Sequence, residues 1–136
     1  MNEKTLQTLE FNKILEKLES YTSFSASKEL ANKLRPSRNL EQAQRWQNQT
    51  TEARLLLDVK ADTTIGGARD IRPAAEASMP DAVLTTSDLL DIKATLISSR
   101  TLARSLEKTD HSFPLLTAIT AELPQPTGLV DTISQT

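Results

Sequence analysis

Four basic side chains share one face of a segment whose pattern predicts a long helix, residues 88–108. They are Lys93, Arg100, Arg104 and Lys108. At the angular step of an α-helix they lie within about 80° of one another. A stripe of this kind has the charge to contact the phosphates of DNA or rRNA. The alternative is a solvated face beside the apolar one, which accounts for most charge runs on helices.

A pair of adjacent glycines lies in the stretch DTTIGGARDIRPAAEA, residues 62–77, between two segments with helical patterns. A Walker-type or Rossmann phosphate loop needs separated glycines and a preceding strand, and neither pattern is present. The pair therefore predicts a turn in which Gly66 or Gly67 adopts a positive φ. Asp70 is the expected N-cap of the short helix that follows, with Pro73 in its first turn. An anion could bind at that helix N-terminus, but Asp70 already occupies the position.

The residues that most often serve in catalysis or metal binding are scarce. His111 is the sole histidine and there is no cysteine, so neither a zinc site nor a catalytic triad is indicated. We expect His111 to lie in a solvated connection. Trp46 falls on an apolar stripe, which favours core packing over base stacking, because stacking platforms usually combine several aromatic residues with a basic groove. No catalytic, cofactor-binding or metal-binding residue is expected in this chain.

The composition is that of a soluble globular protein, with 136 residues, 38% apolar, 25% charged, and a net charge of −2. The slight acidity argues against a dedicated nucleic-acid clamp, which usually carries a clear basic excess. The N-terminus lacks the apolar core of a signal peptide, and no stretch is long and apolar enough to span a membrane. We therefore expect a cytoplasmic protein with no membrane partner.

The elements that position the candidate residues are all predicted to be helices. Glycine is scarce, strong helix formers are frequent, and no run alternates as a strand would. The expected fold is all-α, an irregular bundle of about six or seven helices. We expect these helices to form a single domain over residues 1–136.

Three helices are expected in the first part of the chain. The first has Asn12 as a possible cap, and the second starts at Ser25 or Ser27 and ends before Pro36. The third spans residues 40–58, with Asn39 and Gln42 resembling a capping box. Their inward faces are predicted from apolar spacings of three and four. These residues are Phe11, Ile14, Leu15, Leu18 and Tyr21, then Phe24, Leu30 and Leu34, then Leu40, Ala43, Trp46, Thr50, Ala53 and Leu57.

The rest of the chain predicts a capped long helix and two shorter elements. Thr85, Thr86 or Ser87 can cap the helix of residues 88–108. Its expected buried face consists of Leu89, Ile92, Leu96, Ala103 and Leu106. A shorter helix has Pro114 near its start and Pro124 and Pro126 beyond its end. The last segment presents Leu129, Val130 and Ile133 and then stops without a C-cap, so we expect the chain to be a fragment of something longer.

Several segments, taken together, resemble the helical core of the MutS family. The resemblance rests on the order of three features. These are a Leu-x-Pro-x-x-x-Leu step followed by a Glu-Ala-x-x-Leu-Leu helix end (Leu34, Pro36 and Leu40; Glu52, Ala53, Leu56 and Leu57), the IGGARDIRPAAEA turn, and a Thr-x-x-Asp-Leu cap (Thr85, Asp88 and Leu89). The core begins near residue 6 with no mismatch-reading domain before it, which points to the type-two bacterial branch of the family.

This resemblance implies a homodimeric parent protein driven by ATP and Mg²⁺. Type-two members are associated with suppressing recombination at branched DNA and with splitting stalled or collided ribosomes. Their ATPase machinery lies C-terminal to this region, beyond a lever and a clamp, and a nuclease-like domain often closes the chain. The segment would therefore be a non-catalytic scaffold, ending where the lever starts, that transmits ATP-driven motion.

Two readings of the function stay open at this point. The alternative to the MutS-like core segment is a free-standing helical adaptor that binds nucleic acid or protein and has no link to ATP. The choice between branched DNA and the ribosome as the partner of the parent protein is also open.

Overall fold

The computed structural model describes residues 3–78, 83–124 and 128–135, which form eight α-helices and no strand. The all-α class is confirmed, with α1 as one helix that the sequence did not predict. The helices are α1 (Glu3–Thr8), α2 (Phe11–Glu19), α3 (Ser25–Lys33), α4 (Leu40–Val59), α5 (Arg72–Ala77), α6 (Thr86–Glu107), α7 (Pro114–Ala121) and α8 (Leu129–Gln135). Pro126, predicted to lie beyond the end of α7, is outside the described residues.

The chain divides into two compact units, Met1–Gln44 and Arg45–Thr136. The boundary between them falls within α4, and the expectation of a single domain over residues 1–136 stays a prediction. Within the described ranges, no helix combines the length and the apolar character needed to cross a membrane.

In the first unit, α2 contacts both α1 and α3, and the buried residues are Leu6, Leu15 and Ala31. The predicted inward faces of these helices are largely wrong. Tyr21 and Leu30 are each 73% exposed. The spacing identified the helices correctly, but short partner helices cover only a narrow strip of each. Burial is therefore concentrated at single positions.

The other predicted members of these stripes follow the same pattern. Phe11 and Phe24 are half-buried, whereas Ile14, Leu18 and Leu34 remain exposed.

The N-termini of these helices also differ from prediction. The N-cap of α2 is Glu10, at a left-handed φ of 51°, and not Asn12. The N-cap of α3 is the extended Phe24, and Ser25 is the first helical residue.

At the start of α4 the cap at Asn39 is confirmed, because Asn39 Oδ1 accepts a hydrogen bond from the Gln42 N–H at 3.1 Å. The expected return bond from the Gln42 side chain is replaced. Ser37 Oγ accepts from the Asn39 N–H at 3.1 Å and donates to Gln42 Oε1 at 2.7 Å. The two ends of the capping box are thus bridged through a serine.

The buried face of α4 is not the predicted apolar stripe. Trp46 is 39% exposed and Leu40 is 80% exposed, so the predicted core role of Trp46 is wrong. The buried residue is Leu56, at 4% exposed, and Glu52 beside it is half-buried. The pattern missed this face because a carboxylate occupies its centre.

The remaining members of the predicted α4 stripe are divided between the two faces. Ala43 and Ala53 are half-buried, whereas Thr50 and Leu57 are exposed.

In the second unit, a core of Leu56, Leu106 and Phe113 forms between α4, α6 and α7, with Leu116 packed against it. Burying an apolar side chain of this size stabilises a fold by about 1.5–3 kcal/mol. α6 also contacts α8, where Val130 is buried. The predicted inner face of α6 is confirmed. Leu96 and Leu106 are buried, and Leu89, Ile92 and Ala103 are half-buried.

Candidate nucleic-acid interface

The start of α6 is fixed by a reciprocal capping box between Thr85 and Asp88, which selects Thr85 from the three predicted cap candidates. The Asp88 N–H donates to Thr85 Oγ1 at 3.2 Å, and the Thr85 N–H donates to Asp88 Oδ2 at 2.9 Å. The Thr85 hydroxyl also donates to Asp88 Oδ2 at 2.6 Å. These hydrogen bonds, that of the hydroxyl foremost, lower the pKa of Asp88 below its usual value, because they favour the ionised carboxylate.

The paired glycines form the predicted turn, and Gly67 carries the positive φ, at 92°. The turn is attached to α6. The buried Ser98 hydroxyl donates to the Gly66 carbonyl at 3.1 Å. Thr95 Oγ1 accepts from the Arg69 N–H at 2.8 Å and donates to the Arg69 carbonyl at 3.3 Å. Three hydrogen bonds therefore join the backbone of this loop to side chains of α6.

The predicted cap at Asp70 is displaced by one residue, since the N-cap of α5 is Ile71. Asp70 Oδ1 accepts a hydrogen bond from the Arg72 N–H at 3.3 Å. The Asp70 carboxylate also forms a bidentate ion pair with the Arg72 guanidinium. Pro73 lies in the first turn of the helix, as predicted.

The loop does not fit a nucleotide. A phosphate loop aims its backbone N–H groups at the ligand. Here the Gly66 N–H donates to Thr64 Oγ1 at 2.9 Å and the Arg69 N–H donates to Thr95. We therefore derive no ATP-dependent step from these residues.

The four basic candidates all lie on α6 or at its C-cap, which is Lys108. The structure places three of them in two clefts that share Arg104. Arg104 and Lys108 line a cleft of about 300 Å³ together with Lys60. Arg100 and Arg104 line a second cleft, of about 360 Å³, with Glu107 and Thr120. Lys93 lines neither cleft and is half-buried.

We call the first of these the Lys60 cleft. Its walls are the end of α6 and the loop that follows α4. The lining residues are Lys60, Asp62, Thr63, Thr64, Thr101, Leu102, Arg104, Ser105 and Lys108. Three cations therefore face one carboxylate, and four hydroxyl groups are interspersed between them. The arrangement has no nucleophile paired with a base, so its chemistry is that of anion binding.

Reasoning from the sequence missed Lys60, Thr63 and Thr64 as neighbours of the α6 stripe. These residues are about 40 positions from Arg104 in the chain, and their contribution depends on the packing of the loop against α6. The one local signal was that Lys60 follows the end of α4, a position that favours cations.

The other sequence candidates lie apart from these clefts. His111 is exposed in the connection before α7, and its ring stacks on Phe113 with centroids 6.3 Å apart. Across residues 3–78, 83–124 and 128–135, no three His, Asp or Glu side chains cluster as a metal site would require.

No protein-family model matches this chain, but curated proteins of similar sequence do. A curated relative, "Endonuclease MutS2" of Symbiobacterium thermophilum, is 38% identical over 123 residues, or 90% of this chain and 15% of that protein. The protein of the same name from Geobacillus sp. is 33% identical over 126 residues, covering 90% of this chain and 16% of its own length. That of Acetivibrio thermocellus is 39% identical over 102 residues, covering 75% and 13%. The chain thus spans about 15% of the length of the curated relatives it matches.

Proposed function

Because the chain belongs to the MutS2 family, we propose that it is the N-terminal core segment of a homodimeric, ATP-driven MutS2 protein that acts on nucleic acid. The observation that carries this proposal is the identity of 38% over 90% of the chain. The relatives are named endonucleases. The substrate of the whole protein is branched DNA, stalled or collided ribosomes, or both.

Within that protein the segment is a non-catalytic scaffold. ATP and Mg²⁺ are bound elsewhere, and this part passes on the motion that ATP drives. Its long helix α6 supports such a role, because both its N-terminal cap and its attachment to the glycine loop are made by directed hydrogen bonds. A helix held in this way moves as a unit with its loop.

The basic residues of α6 suggest a second role, as a direct contact to DNA or rRNA. Lys93, Arg100, Arg104 and Lys108 supply the positive charge for it. If the chain performed that role alone, it would be a free-standing adaptor, the alternative to the scaffold. A reading frame that continues beyond Thr136 into a Walker loop would exclude the adaptor.

The direct test of the non-catalytic role is to measure ATP hydrolysis and nuclease activity of the purified chain. We expect no turnover of either kind above that of a blank preparation. Robust ATP hydrolysis by the 136-residue chain would contradict the scaffold role.

A further inference from the structure

We infer that the Lys60 cleft is a binding site for a backbone phosphate of a nucleic-acid strand. The inference rests on the proposed function in one respect, namely that the parent protein acts on nucleic acid. It goes beyond that function by moving the contact from the face of one helix to a cleft between α6 and the loop after α4, and by adding Lys60, Thr63 and Thr64 to it.

The charge of the cleft favours an anion. Its lining has a net excess of two positive charges, from Lys60, Arg104 and Lys108 against Asp62. In the described ranges, none of the three cations forms a salt bridge. Arg104 and Lys108 are exposed, so their charges are available to a ligand from solvent.

The hydroxyl groups of the cleft point to the same ligand. Thr63 Oγ1 is buried and has no hydrogen-bond partner among the residues that the structure describes. An unmet buried hydroxyl is costly, and one that persists is completed by a water, an ion or a ligand, or marks local strain. Thr64 Oγ1 accepts from the Gly66 N–H, which leaves its own proton to donate. Phosphate oxygens accept such bonds.

Not every hydroxyl in the cleft can contribute. Thr101 Oγ1 donates its proton to the Ile97 carbonyl at 2.9 Å, within its own helix. Ser105 Oγ makes no hydrogen bond to any described residue and stays available. The donors available without rearrangement are therefore Thr64 and Ser105, together with the three cations. Thr63 joins them when its buried hydroxyl turns toward the cleft.

A structural role for the cations is the competing explanation. Lys108 is the C-cap of α6 and Lys60 directly follows α4, where positive charge offsets the helix dipole. That role accounts for the cations but leaves the buried Thr63 hydroxyl without a partner. A phosphate in the cleft accounts for the cations, and it gives the Thr63 hydroxyl an acceptor once that buried group turns toward the cleft.

The size and lining of the cleft indicate how the strand is read. A volume of about 300 Å³ is at the lower end of ligand pockets, which suits one phosphate group better than a whole nucleotide. No aromatic side chain lines the cleft, so no base is stacked there. Binding is thus expected to be independent of sequence, with a strong dependence on salt.

The experiment measures binding of fluorescein-labelled single-stranded and double-stranded DNA and RNA to the 136-residue chain, by anisotropy across a salt series. The test variant carries Lys60→Gln, Arg104→Gln and Lys108→Gln. The control carries Lys4→Gln, Lys17→Gln and Arg54→Gln, which make the same change in net charge at exposed residues that do not line the cleft. Circular dichroism verifies that both variants are folded.

We expect the test variant to bind at least about tenfold more weakly at low salt, with a salt slope shallower by about 1 unit because one phosphate contact is lost, and the control to stay near wild type. Equal affinity and slope in the test variant and the control would overturn the inference. So would a wild-type chain that binds none of these strands.

Two further measurements distinguish a ligand-binding role of Thr63 from a structural one, and a nucleic-acid phosphate from free inorganic phosphate. Thr63→Val keeps the shape of the side chain, and we expect it to weaken strand binding without lowering the melting temperature. Unchanged strand binding in Thr63→Val would overturn the assignment of the Thr63 hydroxyl to the phosphate site. Tight binding of inorganic phosphate without strand binding would make this a free-anion site and overturn the nucleic-acid assignment.

Neither result bears on the scaffold role. That role fails instead if the isolated chain hydrolyses ATP.

Discussion

The carboxylate of Glu52, on α4, accepts a hydrogen bond at 3.0 Å from the backbone N–H of Leu115, 63 positions away in the first turn of α7. A second bond, also of 3.0 Å, comes from the Leu116 N–H. The residue at the N-cap of α7 is Phe113, whose side chain makes no capping hydrogen bond. Glu52 therefore caps α7 from another helix and holds Phe113 against Leu56 in the core.

Removing this cap should destabilise the second unit. We expect Glu52→Ala to lower the free energy of unfolding by about 1 kcal/mol, because two backbone N–H groups lose their acceptor. Glu52→Gln should cost less, since the amide oxygen still accepts. Urea denaturation measures both. Glu16→Ala, at an exposed helical site, is the matched control, and an equal loss in that variant would count against the cap.

The turn at the paired glycines predicts that Gly67 tolerates a side chain poorly. Gly67 has a φ of 92° and no atom within 4 Å of an added Cβ, so the cost of a side chain there is backbone strain alone. We expect Gly67→Ala to lower stability by about 1–2 kcal/mol. Gly67→Asn should be milder, because asparagine tolerates left-handed geometry better. Thermal unfolding that ranks Ala as the better residue would contradict this geometry.

The attachment of the glycine loop to α6 is tested at Thr95. Thr95→Val keeps the shape but leaves the Arg69 N–H without its acceptor, so we expect a loss of about 1 kcal/mol and faster hydrogen exchange at that amide. Thr101→Val is the control, because its hydroxyl bonds only the Ile97 carbonyl of its own helix. Equal exchange at the Arg69 amide in both variants would show that the loop is held by other contacts.

The capping box of α6 predicts a dependence on pH. The pKa of Asp88 is lowered from 3.8 by the Thr85 hydrogen bonds, so its contribution is present above that value and is lost as pH falls through the lower folded-state pKa. Wild type should therefore exceed Asp88→Asn in melting temperature at neutral pH. The gap should close in acid, where protonated Asp88 resembles asparagine. A gap that stays constant into strong acid would contradict the assignment.

Features carried by neighbouring residues were predictable from sequence. The Thr85–Asp88 box, the cap at Asn39 and the positive φ at Gly67 each depend on residues within a few positions of one another. Apart from α1, the helices followed from apolar spacing and from their capping residues. In these cases local chemistry decides the geometry.

Features that depend on packing were not predictable. Spacing marks Tyr21, Leu30 and Trp46 as members of apolar stripes, but it does not show whether a partner covers them, and all three are exposed. The capping role of Glu52 cannot be predicted from local sequence, because its partners are over 60 positions away. The Lys60 cleft combines residues of a loop and of α6, and of its lining only Arg104 and Lys108 were candidates from the sequence.

The proposed scaffold role is tested most directly in a chimaera. This chain replaces the matching segment of the Symbiobacterium thermophilum relative, which is 38% identical to it. The measurement is ATP hydrolysis with and without nucleic acid, for the chimaera and for its version with Thr95→Val and Ser98→Ala, which frees the glycine loop from α6. We predict that basal hydrolysis is retained and that stimulation by nucleic acid falls several-fold in the loosened version. Equal stimulation in the two would contradict the transmission of motion through this segment.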